Sequence, residues 1–218
     1  TMQPMNAWYA RCPSCRFEAS SLEAGPGTGI EGLEQLRRDN FEILLNRLEV
    51  LGSLKGKRLL EIGSAKGWFL EAAQRRGAVV RGLEPEAANA LIARANGYET
   101  EIGLFPDGLA DRGPYDLIVF NDVLEHIPGP GRAMQSVEAL LAPGGFAVVN
   151  LPSSAGTLYH VARVLDRLGM HGPFDRMWQR GFPSPHISYF NPTNLRRLVE
   201  RQTSLVQVAT YPLPSVSR

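Results

Sequence analysis

The chain has 218 residues, 44% of them hydrophobic and 21% charged, enough for one globular domain without disulfides or a stabilising metal. Its formal net charge is +1, so the overall charge does not mark a nucleic-acid binder. No apolar run nears the ~20 residues of a membrane helix, no basic-then-apolar leader opens the chain, and with 2 cysteines a reducing cytoplasm is the expected compartment.

Residues 1–29 read as an irregular segment. They carry Cys12-Pro13-Ser14-Cys15 and the linker-like stretch Gly25-Pro26-Gly27-Thr28-Gly29. A closed structural zinc site needs four ligands, and no second cysteine pair follows, so no metal site is expected. Short and joined by Gly and Pro, this segment is expected to be dispensable for folding. The domain proper is expected over 30–218. It begins with a helix over 30–51, in which Leu33 and Leu36, and then Phe41, Leu44, Leu45, Leu48 and Leu51, recur at steps of three and four.

From residue 58 the period changes. Strands are expected at 58–62, 78–83, 99–102, 115–120 and 146–151, and helices at 68–76, 86–96 and 132–141. Glycines 63, 77, 97 and 113 punctuate them. Short apolar strands alternating with helices predict an α/β, doubly wound, mostly parallel sheet covered on both faces. Residues 153–190 break the alternation and form a helical lid insertion in this reading. A helix at 192–202, with Asn191 as N-cap and Pro192 in the first turn, and a last strand at 205–211 complete the domain.

Four motifs carry the chemistry. The first is Glu61-Ile62-Gly63-Ser64-Ala65-Lys66-Gly67, at a strand-to-helix turn where glycines let a ligand approach the backbone. A dinucleotide fingerprint would need glycine at 65 and 68, which hold Ala65 and Trp68. The second is Glu84, a carboxylate at the end of the next strand. The third runs from Tyr115 to Ile127, apolar until Asn121-Asp122-Val123-Leu124-Glu125-His126. The fourth is Leu140-Leu141-Ala142-Pro143-Gly144-Gly145-Phe146.

In this order the motifs resemble those of class I S-adenosylmethionine-dependent methyltransferases of the small-molecule type, with the Rossmann-like fold of that family. Ala65 departs from the usual glycine. The segment Pro185-His186-Ile187-Ser188-Tyr189-Phe190-Asn191-Pro192 resembles a segment of the same enzymes, whereas their seventh, antiparallel edge strand is not evident after Tyr211.

The resemblance implies a cofactor, S-adenosylmethionine, with S-adenosylhomocysteine as product. It implies that Gly63, Ser64, Ala65 and Gly67 pack against the methionine part and ribose, and that Glu61 orients the loop or the cofactor's amino group. It implies that Glu84 holds the ribose hydroxyls, that Pro85 and Phe105 border the adenine, and that Asn121, Asp122 and Val123 flank the methionine moiety. The methyl passes by in-line displacement to a small-molecule acceptor, not to nucleic acid and not at a membrane. A hydroxyl acceptor needs a base. His186 is favoured and His126 is the alternative, with the lid aromatics Tyr159, Phe174, Trp178 and Phe182 around the acceptor. Two other readings stay open: a nicotinamide-dependent oxidoreductase on a related fold, and a degenerate domain that binds cofactor without turnover.

Overall fold

The computed structural model describes residues 2–23 and 34–214. The linker-like stretch 25–29 and the expected helix start at 30–33 lie outside the described residues. Of those described, 34–121, 136–150 and 209–214 form one compact unit, and 2–23, 122–135 and 151–208 form the other.

The first unit holds β4 (Arg58–Ile62), β5 (Val79–Glu84), β6 (Thr100–Ile102), β7 (Tyr115–Asn121) and β8 (Leu141–Asn150), in the order β6-β5-β4-β7-β8. Every pair is parallel. The alternating strand and helix pattern is therefore realised as a parallel doubly wound sheet. From β4 the chain winds outward through β5 and β6, then returns to the other side of β4 with β7 and β8. This reversal lies between β4 and β7, and at such a point the loops leave the carboxyl ends of neighbouring strands in opposite directions and open a crevice.

Helices α1 (Glu34–Leu51), α2 (Trp68–Arg75) and α3 (Ala87–Ala95) belong to this unit, and α4 (Pro130–Leu140) leads into β8. Leu45 and Leu48 of α1 and Phe69, Leu70 and Ala73 of α2 pack on Leu59, Leu117 and Val119 of the strands. Each such buried large aliphatic or aromatic side chain contributes roughly 1.5–3 kcal/mol. The expected turn at Pro143-Gly144-Gly145 falls inside β8, where the register with β7 shifts between Tyr115 and Leu117. Gly144, at φ 75°, occupies the left-handed region that this irregularity needs.

In the second unit, residues expected to be irregular form three strands: β1 (Gln3–Pro4), β2 (Tyr9–Arg11) and β3 (Glu18–Ser20). With β9 (Ser188–Tyr189) they make an antiparallel sheet in the order β1-β2-β3-β9. Strands of two or three residues show no readable period, so nothing in the sequence marked them. The Cys12–Cys15 segment is the turn between β2 and β3, closed by Cys12 N–H to the Phe17 carbonyl at 2.8 Å. Both cysteine thiols are free.

Glu18 is 0% exposed. It meets Arg11 Nε at 3.1 Å and Arg163 Nη1 at 3.3 Å, and accepts a hydrogen bond from the Tyr159 hydroxyl. Helices α5 (Thr157–Arg167) and α6 (Gly172–Met177) fill the expected lid segment. Its aromatics Tyr159, Phe174 and Trp178 are buried and pack with Tyr9 and Tyr189, so they are core of this unit rather than an open acceptor surface. Helix α7 (Pro192–Gln202) begins at the expected cap: Asn191 Oδ1 accepts from Asn194 N–H at 3.0 Å, and Asn194 Oδ1 accepts from Asn191 N–H at 2.9 Å. The expected last strand is absent. Residues 205–211 pair with no strand among the described residues, and Val206, Val208 and Tyr211 stay exposed.

Candidate cofactor site and imidazole cluster

The candidate site grows from the carboxyl ends of β4, β5 and β7. After Ile62 the chain turns through Gly63 at φ 71°, Ala65 at φ 45° and Gly67 at φ 86° before α2 begins. Ala65 thus holds a left-handed conformation in which a methyl group is strained, the physical reason for the family's preference for glycine there. Gly82, inside β5, was not singled out from the sequence. A Cβ on it would stand 2.4 Å from Ser64 Oγ, so its missing side chain makes room for Ser64. A glycine within a strand is the signal that could have found it.

Glu84 is 6% exposed, and both its oxygens are oriented by backbone. Oε2 accepts the Ala65 N–H at 2.7 Å and Oε1 accepts the Glu86 N–H at 2.9 Å. Burial pushes its carboxyl above the usual range, and the Glu86 and Ala65 amides, with the Asn89 side chain, oppose that shift. A carboxylate has about four acceptor sites, so these bonds leave Glu84 capacity for a further donor. Glu61 is 2% exposed. Its Oε1 accepts from Asn121 Nδ2 at 2.9 Å, and its buried Oε2 has no hydrogen-bond partner among the described residues. Burial raises its carboxyl to about 8, with the Glu84 charge adding and the Asn121 amide opposing. Ser64 Oγ is also buried without a partner. Asn150 Nδ2 lies 3.5 Å from Asn121 Oδ1 and steadies that amide.

The structure therefore brings together Glu61, Gly63, Ser64, Ala65, Glu84 and Asn121. Pro85, half-buried, follows Glu84 directly, and Gly67 opens α2. Phe105 is buried and meets Phe120 edge-on at 5.7 Å. Asp122 and Val123 continue the chain after β7 as the first residues of the other unit, with Asp122 at φ 55°.

The two expected base candidates also meet, within the second unit. A 3-10 turn at Leu124–His126 carries Glu125 and His126. The rings of His126 and His186 are 4.8 Å apart at 66°. His126 Nδ1 is 2.9 Å from the Pro185 carbonyl oxygen, so Nδ1 carries the proton and donates while Nε2 keeps the lone pair. His186 Nε2 takes the Gln179 side-chain amide at 3.0 Å. His186 is 6% exposed, and burial, with the neighbouring His126, drives it down to about 3. A ring held neutral to that depth is a weak proton acceptor, so the preference for His186 as base does not fit its surroundings. Glu125 was not among the expected site residues; its place in the Glu125-His126 pair was the available signal.

A family model described as a methyltransferase domain matches residues 32–202. The chain belongs to that methyltransferase family. A ubiquinone biosynthesis O-methyltransferase of Bordetella avium is 35% identical over 105 residues, covering 45% of this chain and 44% of the relative. One of Alkalilimnicola ehrlichii is 32% identical over 107 residues, covering 46% and 43%. The chain thus spans less than half the length of these curated relatives. Among solved structures, SAM-dependent methyltransferases of Archaeoglobus fulgidus and Thermotoga maritima share the fold. The first has a TM-score of 0.57 at 16% identity, covering 78% of this chain and 71% of that one. The second has a TM-score of 0.57 at 17% identity, covering 78% and 72%. The chain thus carries a methyltransferase domain and shares the fold of these SAM-dependent methyltransferases, and the oxidoreductase alternative is not favoured. Among the described residues no helix is long and apolar enough to cross a membrane.

Proposed function

We propose that this chain transfers a methyl group from S-adenosylmethionine to a small-molecule acceptor, with an oxygen acceptor as the class to test first. The observation that carries the reading is the Glu84 carboxylate, held by the Ala65 and Glu86 amides beside the buried, partnerless Glu61 Oε2 and Ser64 Oγ. Unpaired buried polar atoms cost about 1–3 kcal/mol each, and a polar ligand recovers that cost. This donor and acceptor set fits the cofactor. Glu84 would accept both ribose hydroxyls. Glu61, Ser64 and Asn121 would meet the polar groups of the methionine part, with the backbone of Gly63, Ala65 and Gly67 against it. Pro85 and Phe105 would border the adenine, and Asp122 and Val123 would flank the methionine side.

S-adenosylmethionine supplies a methyl already activated on a sulfonium sulfur, so the protein's task is to orient two reactants and exclude water. Of the two imidazoles, His126 keeps the role of base for a hydroxyl acceptor, because its Nε2 holds the lone pair and it is the less buried. The curated relatives' names motivate the oxygen acceptor. The +1 net charge, with no basic excess, supports a small molecule over nucleic acid as acceptor. A reducing, cytoplasmic location suits the two free thiols.

Calorimetric titration tests the cofactor reading. Micromolar binding of S-adenosylhomocysteine with no binding of a nicotinamide dinucleotide is expected; the reverse preference would overturn it. Turnover of a panel of phenols and alcohols, read as S-adenosylhomocysteine release, tests the acceptor class and separates an enzyme from a domain that only binds cofactor.

A further inference from the structure

Glu125, His126 and His186 have no part in holding the cofactor as read above, yet the fold brings them together with care. Ile187 donates its N–H to the Glu125 carbonyl at 2.9 Å, and Ser188 Oγ donates to the same oxygen at 3.4 Å. These bonds clasp the turn after β7 to the segment before β9, across about 60 residues of sequence. Each of the three residues offers one ligand atom, and the three atoms lie within 4.8 Å of one another. His186 Nε2 and Glu125 Oε1 are 3.9 Å apart. Glu125 is 1% exposed. The His126 ring is fixed from behind by the Pro185 carbonyl, 2.9 Å from Nδ1, which leaves Nε2 as the ligand nitrogen. Metal-bound histidines are held in this manner, with the far N–H on a carbonyl or carboxylate.

We infer that Glu125, His126 and His186 form a site for a divalent first-row metal ion of the zinc class. Two imidazole nitrogens and one carboxylate oxygen make a borderline donor set that suits such an ion better than magnesium or calcium, which take oxygen ligands. Ligand atoms around an ion at about 2.1 Å stand roughly 3–3.5 Å apart, so side-chain shifts of about 1 Å close this cluster onto a cation. The Gln179 amide, now on His186 Nε2, is the group such an ion displaces.

Three protein ligands leave a coordination position open, as in catalytic rather than closed structural sites. Here the inference rests on the methyl-transfer reading: the acceptor class is an alcohol or phenol, whose oxygen fits that position and would give up its proton to solvent more easily there, the ion then standing in for His126 as the activating group because His126 Nε2 is a ligand. A competing account needs no cation: the cluster only packs the turn after β7 against the segment before β9.

Metal uptake decides between them. Chelator-stripped protein is titrated with Zn²⁺ and with Mn²⁺ by calorimetry, in parallel with a Cys12→Ser/Cys15→Ser variant, because that thiol pair can take up zinc by itself. One equivalent of metal bound by the cysteine-free variant is expected, with affinity at least tenfold weaker in Glu125→Gln and His186→Asn. His126→Asn, at a less buried position, carries the same expectation should His186→Asn fail to fold, as judged by circular dichroism. Metal binding that disappears with the cysteines, or that survives unchanged in the folded Glu125 and histidine variants, overturns the site. S-adenosylhomocysteine affinity is measured on the same samples. Cofactor binding with no metal uptake removes this inference alone, whereas absence of cofactor binding in every sample overturns the methyltransferase reading on which it rests.

Discussion

Ala65 donates its backbone N–H to the Glu84 carboxylate at 2.7 Å, so the loop after β4 is tied to the end of β5 by a side chain also read as a ligand group. Glu84 therefore has two jobs, where a strand-end acid in solvent would have one. Glu84→Gln keeps one acceptor oxygen but turns an NH₂ toward one of two amide donors. Affinity for S-adenosylhomocysteine should fall about tenfold or more, and the melting temperature by a few degrees. Glu84→Ala should lower stability by about 1–3 kcal/mol as well as binding. Calorimetry with thermal melts checks both; unchanged affinity in folded Glu84→Gln would place the ribose elsewhere.

Glu61 gives the protein a pH dependence on its alkaline side. Its carboxyl is raised from 4.5 to about 8 by burial, so between those values the folded state holds a proton that the unfolded state has released. Stability from this group is present below pH 4.5 and is lost as pH rises toward 8. Glu61→Gln, which stays neutral, should flatten that decline. Urea unfolding at pH 5.5, 7 and 8.5 for both proteins measures the difference; parallel curves would show that Glu61 ionises normally.

The N-terminal hairpin, expected from sequence to be dispensable, should not be. Glu18 is fully buried between Arg11, Arg163 and the Tyr159 hydroxyl. Removing the carboxylate leaves Arg163, 12% exposed, without its anion. Glu18→Ala should cost about 3 kcal/mol of unfolding free energy, and Glu18→Gln less. Deleting residues 1–23 should lower stability at least as much. A truncated protein that melts like the full chain would restore the earlier expectation.

Cys12 should react faster than Cys15. Hydrogen bonds from Ser14 and from Cys15 bring its thiol from 9.0 down to about 6, so it is largely thiolate at neutral pH. Iodoacetamide labelling followed by peptide mass spectrometry should show half-maximal Cys12 rate near pH 6, shifted upward in Ser14→Ala. Equal rates at both cysteines across pH 5–9 would contradict this.

Much of the first unit was readable because its strands are long enough to show a period. Tyr115–Asn121 ends its apolar run at Asn121, and Glu84 ends β5, so the polar strand ends mark the crevice in the sequence itself. The second unit was not readable for a physical reason. Strands such as Ser188–Tyr189 are too short for periodicity, and their partner lies near the other end of the chain. Glu18 looks like any surface acid until Arg163 is brought to it. Trp178 and Phe174, aromatics in a Gly- and Pro-rich stretch, suggested a ligand pocket but fill a core. Residues 205–211 have strand-like side chains but pair with no strand among the described residues.

The pairing of Glu18 with Tyr189 and Ala19 with Ser188 also sets a timetable. During synthesis at about 5–20 residues per second, β3 leaves the ribosome roughly ten to thirty seconds before β9 can reach it. The β-α-β elements between residues 58 and 121 can close locally in that interval, whereas β3 waits with one edge of backbone donors and acceptors open. Such an edge accepts any extended strand, including one from a neighbouring nascent chain. Slow or crowded translation should therefore trap this protein through its first twenty residues rather than through its large sheet.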